Sequence, residues 1–379
     1  MSEEDVGARL TRVCEAMGKA GLDGILAFAP GWRRENVRYL TGALFRGAFA
    51  FAYLPADGPV TAFLGNPADE QAVRQVGWVD DVRTAALPDT REIAAVIAAA
   101  TPGGGRIGVT QLELMPRAVL EPLRAGLPRT ELVNATRLMD LVRLVKSDWE
   151  LEQMRRAGVV CAAGWDAFVK ALRPGVREYE VVAEVEAQIK SMGAQDNFML
   201  FASGGDEVRG MTPPGARQLQ VGDMVRTELT PSLDGYYAQI CRSAVLGPPS
   251  EGQLRSFDLF NEAVEAGLAA VRAGVTGGDI ARAENDVFRK HGYGEYCTAK
   301  YTRVRGHGHG LHLDETPIIE GNHTVLPERA VFIVHPNTYT PIAGYHVLGD
   351  PVVVTATGYE VLIETERVLF ETPKGVAAA

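Results

Sequence analysis

The chain's seven histidines are unevenly spread: His307, His309, His312, His323, His335 and His346 all fall between positions 307 and 346. Gly306-His307-Gly308-His309-Gly310-Leu311-His312 is the densest patch, and Asp314 and Glu315 follow it directly. Glycines beside a histidine let the backbone approach a ligand closely. His335 heads the segment His335-Pro336-Asn337-Thr338-Tyr339, and His346 follows Gly344-Tyr345. Three chemistries fit these residue types. Two neutral imidazoles and a carboxylate make an open three-ligand site for a divalent metal. Histidine paired with Glu or Asp can move protons near neutral pH without a metal. Alternatively, each ring is a core residue satisfied by a backbone group. Density beside glycines and acids favours the first two. Cys241 lies in a strand pattern with no base near it in sequence, so it reads as a small buried hydrophobe rather than a nucleophile.

These residues need elements to hold them. Polar and ionisable side chains (Glu228, Gln239, His335, His346) interrupt two otherwise apolar β-rich stretches, 224–246 and 330–355. A conflict of that kind between local pattern and chemistry marks a site. The first stretch contains the turn Ser232-Leu233-Asp234-Gly235. Before them, Ser147-Asp148-Trp149-Glu150 is a capping box that opens a long helix to about 172. Arg173-Pro174-Gly175-Val176 and Arg272-Ala273-Gly274-Val275 each open a further helix, ending near Gly193 and Gly292. The constant offset fits either two similar helix starts by chance or a duplicated α/β half-domain with any site in the cleft between the halves. Residues 1–141 alternate helical and strand patterns: a helix over 5–20, strands at 25–29, 48–54, 60–64 and 106–110, and a helix over 90–100. They form a mixed α/β domain. The boundary falls near Val142, which gives domains 1–141 and 142–379.

Composition narrows the class. A chain of 379 residues has room for two or three domains. Hydrophobic residues are 46% and charged residues 23%, ordinary for a globular fold. The formal charge of −10 disfavours nucleic acid or an anionic membrane as main partner. No apolar run approaches the ~20 residues of a membrane span. The acidic start Met1-Ser2-Glu3-Glu4-Asp5 is unlike a secretory signal. Cys14, Cys161, Cys241 and Cys297 lack the spacing of a disulfide framework or metal site. A cytoplasmic enzyme is expected.

Several of these segments resemble a known family. Gly222-Asp223, Asp234-Gly235-Tyr236 and Arg242-Ser243 resemble the first metal-bearing strands of the creatinase/prolidase family. Gly306-His307-Gly308-His309-Gly310-Leu311 with Glu315-Thr316-Pro317 resembles its histidine segment. His335-Pro336-Asn337-Thr338-Tyr339 sits where the peptidases carry Glu-Pro-Gly-x-Tyr. Lys146 to Glu150 resembles the start of the domain, and Val352 to Glu360 its last strand and turn. Residues 142–368 thus resemble the pita-bread domain of methionine aminopeptidase, prolidase, Xaa-Pro aminopeptidase and creatinase. Residues 1–141, including Asn36 to Gly42, resemble the N-terminal domain of the creatinase and prolidase branch. The resemblance implies α/β architecture with pseudo-twofold halves in the C-terminal domain. It also implies a homodimer whose site is completed across subunits.

The same resemblance implies a departure in chemistry. The peptidases bind two metals through two Asp, one His and two Glu. Here the first Asp position carries Glu228 and the second Gln239. The histidine is retained as His307, the first Glu position carries His335, and the last falls at about Gly349. The family's proton-shuttling histidines fall on Met211 and Asp314, while Glu315 is kept. Creatinase's own catalytic positions carry Met211, Cys241 and His335, so creatine is not the expected substrate. The expectation is a creatinase-like enzyme that hydrolyses or eliminates at a C–N bond of a small amino-acid-like substrate. His307, His335, Glu228 and Glu315 would do the acid–base work. Phe45, Arg46, Gln239, His309, Asp314, Tyr339 and His346 would bind substrate. Phe45-Arg46 resembles creatinase's substrate-gripping segment. No cofactor is expected; a single Zn or Fe(II), if bound, would take Glu228, His307 and His335. The alternatives are a mononuclear metal-dependent Xaa-Pro-type peptidase or lyase, and an inactive pita-bread binding module.

Overall fold

The structure is a computed structural model that describes residues 1–372, so residues 373–379, the end of the expected second domain, lie outside the described residues. The chain divides into two units, Met1–Arg143 and Leu144–Ala379.

The first unit opens with α1 (Glu3–Ala20), started by a capping box in which Ser2 accepts from the Asp5 amide and Asp5 accepts from Ser2. Gly21 ends the helix in the left-handed conformation, φ 62°. Strands β1 (Gly24–Pro30), β2 (Phe49–Pro55) and β3 (Thr61–Leu64) form an antiparallel meander. Its β2–β3 turn is Ala56-Asp57-Gly58. Strands β4 (Asp81–Thr84), β5 (Arg106–Val109) and β6 (Glu131–Asn134) join in parallel, giving the order β4-β3-β2-β1-β5-β6. Helices α2 (Glu35–Thr41), α3 (Pro67–Val76), α4 (Arg91–Ala100) and α5 (Arg117–Gly126) lie between strands, and α6 (Thr136–Leu144) follows β6. Leu26, Phe28, Phe51, Phe63, Ile93, Ile97 and Ile107 form the core between sheet and helices. This is the mixed α/β domain that the alternating pattern predicts.

The second unit repeats one motif. In the first half, α7 (Asp148–Ala171) and α8 (Glu178–Ser191) precede a sheet of β7 (Asp196–Gly204), β8 (Met224–Leu233), β9 (Tyr236–Tyr237) and β10 (Ile240–Leu246). In the second half, α9 (Glu251–Ala270) and α10 (Gly277–Lys290) precede β11 (Gly306–Gly308) and β12 (Val331–Val334). Then come the hairpin β13 (Thr338–Thr340) and β14 (Gly344–His346), and the strands β15 (Asp350–Val354) and β16 (Tyr359–Val361). The last strand, β17 (Phe370–Thr372), returns to pair with β10. Helices α8 and α10 have 14 residues each and start 99 positions apart, as the offset in the sequence requires. Both start about five residues later than the sequence pattern places them. Gly175 at φ 84° and Gly274 at φ 88° turn the chain through the left-handed region before either helix can begin.

Two details set up the site. Asp234 at φ 49° and Gly235 at φ 79° form the tight turn that reverses β8 into β9. The two sheets of the second unit meet where Cys241 pairs with Gly349. Cys241, Ile333 and Val347 pack together there, with Met211 and Tyr345 against them. Among the described residues no helix is long and apolar enough to cross a membrane.

Candidate active site

Strand pairing selects which side chains meet. Glu228 on β8 lies opposite Leu200 of β7 and Cys241 of β10. Residues directly opposite on paired strands share a face. Phe198 joins Leu200 on that face because side chains alternate along a strand. From the other half, His307 on β11 lies opposite Ile333 of β12. His335 stands two residues beyond Ile333, and so on the same side. These two faces close on a cavity of about 280 Å³. Its polar lining includes Glu228, Gln239, Arg303, His307, Asp314, His335, Asn337 and Tyr345, and its apolar lining includes Phe198, Leu200, Met211 and Leu313.

Glu228 is almost wholly buried, and its Oε1 accepts a hydrogen bond from Asn337 Nδ2 at 2.8 Å. Burial pushes its carboxyl up to about 7, against the opposing pull of Asn337 and Arg303. Asn337 is itself held, since its Oδ1 accepts from the Leu348 amide at 3.1 Å. Gly306 must be glycine: a Cβ there would run into the Ile333 carbonyl oxygen, and its φ is 142°. His307 stands next in the chain. Its Nδ1 lies 3.3 Å from the Gly308 carbonyl and 3.9 Å from Asp314 Oδ1. Its ring meets that of His335 edge-on at 5.3 Å. Burial lowers the pKa of His307, and burial together with His307 holds His335 well below the usual imidazole range. Both ring nitrogens of His335 are buried with no hydrogen-bond partner among the described residues. Buried polar atoms are almost always partnered, so these two point to a ligand or water. Arg303 pairs with Asp314 at 2.8 Å.

The donor set does not fit a carboxylate-bridged pair of metals. Gln239 is neutral, and the resemblance puts His335 at the position of a metal-binding Glu. A Cβ added at Gly349 would lie 2.5 Å from His335 Cβ and 2.5 Å from the Val334 carbonyl oxygen, so that position has no room for a side chain. Glu228, His307 and His335 all line the cavity, but among the described residues no three His, Cys, Asp or Glu side chains form a group able to hold a metal.

The structure brings Glu228, Gln239, His307, Asp314 and His335 together and leaves other expected residues outside. His346 is a core histidine, not a pocket residue. Its Nδ1 lies 3.0 Å from Ser256 Oγ and its ring stacks on Phe260 at 4.7 Å. Its neighbour Tyr345 faces the cavity instead, because adjacent strand residues point to opposite sides. His309 is outside the cavity lining: it packs edge-on against His307 at 4.8 Å, and its Nδ1 lies 2.9 Å from the Leu313 carbonyl. Glu315 is buried in a 3.0 Å ion pair with Lys146, away from the cavity lining. Tyr339 lies in a separate aromatic cluster with Tyr296 and Tyr301, under the Arg209 guanidinium at 3.8 Å. Phe45 and Arg46 belong to the first unit, where Phe45 is core and the Arg46 amide donates to Asp69 Oδ1 at 2.8 Å. Cys241 is buried, and burial raises its thiol pKa well above the ordinary value, as suits a core residue.

Sequence reasoning passed over Arg303, Tyr345, Phe198 and Leu200. Period-two alternation along residues 196–204 carries a signal for the last two. Arg303 lies in the irregular approach to β11, where no periodicity predicts orientation.

Comparison with known proteins agrees with this fold. Residues 152–356 match the model of metallopeptidase family M24, and residues 9–145 match that of the creatinase/prolidase N-terminal domain. The chain belongs to metallopeptidase family M24. It is 28% identical to the probable dipeptidase PepE of Mycobacterium tuberculosis over 92% of each protein. It is 30% identical to the Xaa-Pro dipeptidase of Pyrococcus furiosus over 60% of this chain and 65% of that relative. The crystal structure of an X-Pro aminopeptidase from Thermotoga maritima superposes with a TM-score of 0.84 over 95% of this chain and 99% of the other, at 22% identity. The expectation of a creatinase-like, metal-independent enzyme that hydrolyses or eliminates at a C–N bond of a small amino-acid-like substrate is thereby overturned: the family is one of metallopeptidases, and the relatives carry the names of dipeptidases and Xaa-Pro peptidases. Family membership supports a hydrolase acting on C–N peptide bonds, and gives no support to a lyase.

Proposed function

We propose that this chain is a peptidase-type hydrolase acting on short peptides, with Xaa-Pro dipeptides as the first substrates to test. The observation that carries the reading is the Asn337-held carboxyl of Glu228, facing a cavity beside His307 and His335. The names of the relatives favour a peptide as ligand. A cavity of about 280 Å³ suits a small one.

In peptide hydrolysis, water adds to the carbonyl carbon, the C–N bond breaks, and the departing nitrogen gains a proton. Glu228, poised near neutrality, can take the proton from water and return it to nitrogen. The buried neutral imidazoles of His307 and His335 supply donors and acceptors to the substrate. The family's metal pair does not fit these residues. The protein is proposed to act as a cytoplasmic homodimer on small-molecule substrates.

A second reading, a peptide-binding module without turnover, is favoured by one observation: the closed position at Gly349. Proline release from Ala-Pro and Leu-Pro separates the two. It should be measured on protein as purified, after chelator, and with added Mn²⁺ or Zn²⁺, alongside calorimetric binding. Release that Glu228→Gln abolishes supports the hydrolase. Binding with no release under any metal condition supports the module.

A further inference from the structure

We propose that the Tyr345 hydroxyl is a further catalytic group, donating a hydrogen bond to the carbonyl oxygen of the scissile bond as negative charge builds there. This rests on the hydrolase reading of the cavity and names the donor on the oxygen side of the reaction.

Other donors in the lining are committed to the protein. Asn337 Nδ2 donates to Glu228 Oε1 at 2.8 Å and to Cys241 Sγ at 3.5 Å. Gln239 Nε2 also donates to Cys241 Sγ, at 3.5 Å. The Thr302 hydroxyl faces the main-chain carbonyls of Val304 and Asn337, at 3.0 and 2.9 Å. Tyr345 is different, because its hydroxyl makes no hydrogen bond to another of the described residues. Tyr345 and Glu228 line the same cavity. Loss of hydration, and after it the charge of Glu228, holds the phenol above the ordinary tyrosine range. The hydroxyl therefore keeps its proton at neutral pH and is available as a donor.

The backbone beneath Tyr345 is fixed on several sides. Its amide donates to the Val208 carbonyl at 2.8 Å, and its carbonyl accepts from Arg226 Nε. The same buried guanidinium donates to the Met224 and Ala343 carbonyls at 2.7 and 2.8 Å, and to those of Gly204 and Gly205 at 3.2 Å. One side chain thus ties β8 and the end of β7 to the β13–β14 hairpin. Gly344, next to Tyr345, leaves no room for slack: a Cβ there would lie 2.6 Å from the Gly205 carbonyl oxygen. The Tyr345 ring packs against Cys241, Ile333 and Val347. A donor held this way need not reorganise as charge develops, which is when a single hydrogen bond accelerates a reaction most.

The step balances without proton loss from tyrosine. Water adds to the carbonyl carbon, Glu228 takes the water's proton, and the C=O π pair moves onto oxygen, where the phenol's hydrogen bond strengthens. The pair returns as the C–N bond breaks and Glu228 passes the proton to nitrogen.

The test uses the full-length protein. With Leu-Pro as substrate, Tyr345→Phe should lower kcat by about 10²–10³-fold and leave KM nearly unchanged, as loss of a transition-state donor requires. Two probes that cannot be hydrolysed read the same contact without turnover. One is the phosphinic isostere of Leu-Pro, whose P–O⁻ mimics the tetrahedral adduct; the other is the ethylene isostere, which lacks that oxygen. Calorimetry should show wild type binding the phosphinic probe about 10- to 100-fold more tightly. Tyr345→Phe should lose most of that preference while binding the ethylene probe as wild type does. Wild-type kcat in the variant, an effect on KM alone, or a phosphinic preference that is absent in wild type or unchanged in the variant would each overturn the proposal. Weaker binding of both probes together, or a lowered melting temperature, would make Tyr345 a packing residue and overturn it too. A wild type that releases no proline yet shows the Tyr345-dependent preference would sink the hydrolase reading and leave the donor standing. Proline release as fast without the hydroxyl would do the reverse.

Discussion

Gly349 is pressed against His335 so closely that a Cβ on the glycine would lie 2.5 Å from the histidine's own Cβ. The two positions are those where the family resemblance places the last two metal-binding glutamates. One now carries an imidazole, and the other has lost its side chain altogether. The pair is mutually exclusive in packing: the backbone that carries His335 fills the space a side chain at 349 would need.

Gly349→Ala should therefore destabilise the fold by roughly 1–3 kcal/mol, the range for overpacking a core. Gly349→Glu should destabilise further and should not create a metal site. Urea unfolding gives the first number, and metal analysis after dialysis against Mn²⁺ checks the second. A stable Gly349→Glu variant that gained tight metal would show that the backbone yields more easily than its contacts imply.

Glu228 ties activity to instability. Burial raises its carboxyl from the ordinary value of 4.5 to about 7. Between those values the folded protein holds a proton that the unfolded chain has released. Stability is intact below about 4.5, falls as pH rises through the window, and reaches its full loss, roughly 3 kcal/mol, above 7. Glu228→Gln should remove that loss, so its stability relative to wild type should grow from pH 5 to pH 8. The same change should lower turnover by ~10²–10⁴. Wild-type turnover should rise through an apparent pKa near 7, as a base that must be ionised requires. A flat wild-type profile would remove Glu228 from the base role.

His346 acts on stability in the opposite direction. Burial lowers it from 6.5 to about 3, with Arg226 adding to the effect. The unfolded chain gains a proton below about 6.5 that the folded core refuses. Stability is therefore fully present above 6.5 and declines as pH falls toward 3. His307, His309 and His335 are lowered in the same direction. His346→Leu should flatten the acid limb of the unfolding free energy between pH 6 and 4 while leaving substrate binding in place. An unchanged slope would place the acid sensitivity in the other histidines.

Lys146 and Glu315 form a buried ion pair at 3.0 Å, beside the glycine-rich histidine segment. A Cβ at Gly310 would lie 3.0 Å from Glu315 Oε1 and 3.1 Å from Lys146 Nζ. Removing one partner strands the other charge. Lys146→Met should cost about 3–5 kcal/mol, and Lys146→Met with Glu315→Leu distinctly less. A double-mutant cycle by urea unfolding reads the coupling. Additive losses would mean that the pair does not act as a unit.

Local signals in the sequence carried much of the fold. The capping box at Ser147 to Glu150 starts α7 where the pattern places it, because the partners are three residues apart and need nothing distant. The 99-residue repeat is real for the same reason: each half encodes its own helix start. Composition also brought His307, His335 and Glu228 forward, since ionisable groups in apolar strands are conspicuous. Local pattern could not decide which of two strand neighbours faces a cavity. His346 stood out by chemistry, yet Tyr345 faces the site, because the choice depends on which side the partner sheet covers. Arg303 carried no periodic signal, and Gly349 showed only that a carboxylate was missing. That its space is filled by His335, so that no metal ligand could be restored there, emerges only when two strands from different halves are brought together. Such contacts join positions far apart in the chain, and their geometry is set by the packing of whole sheets rather than by any residue's own preference.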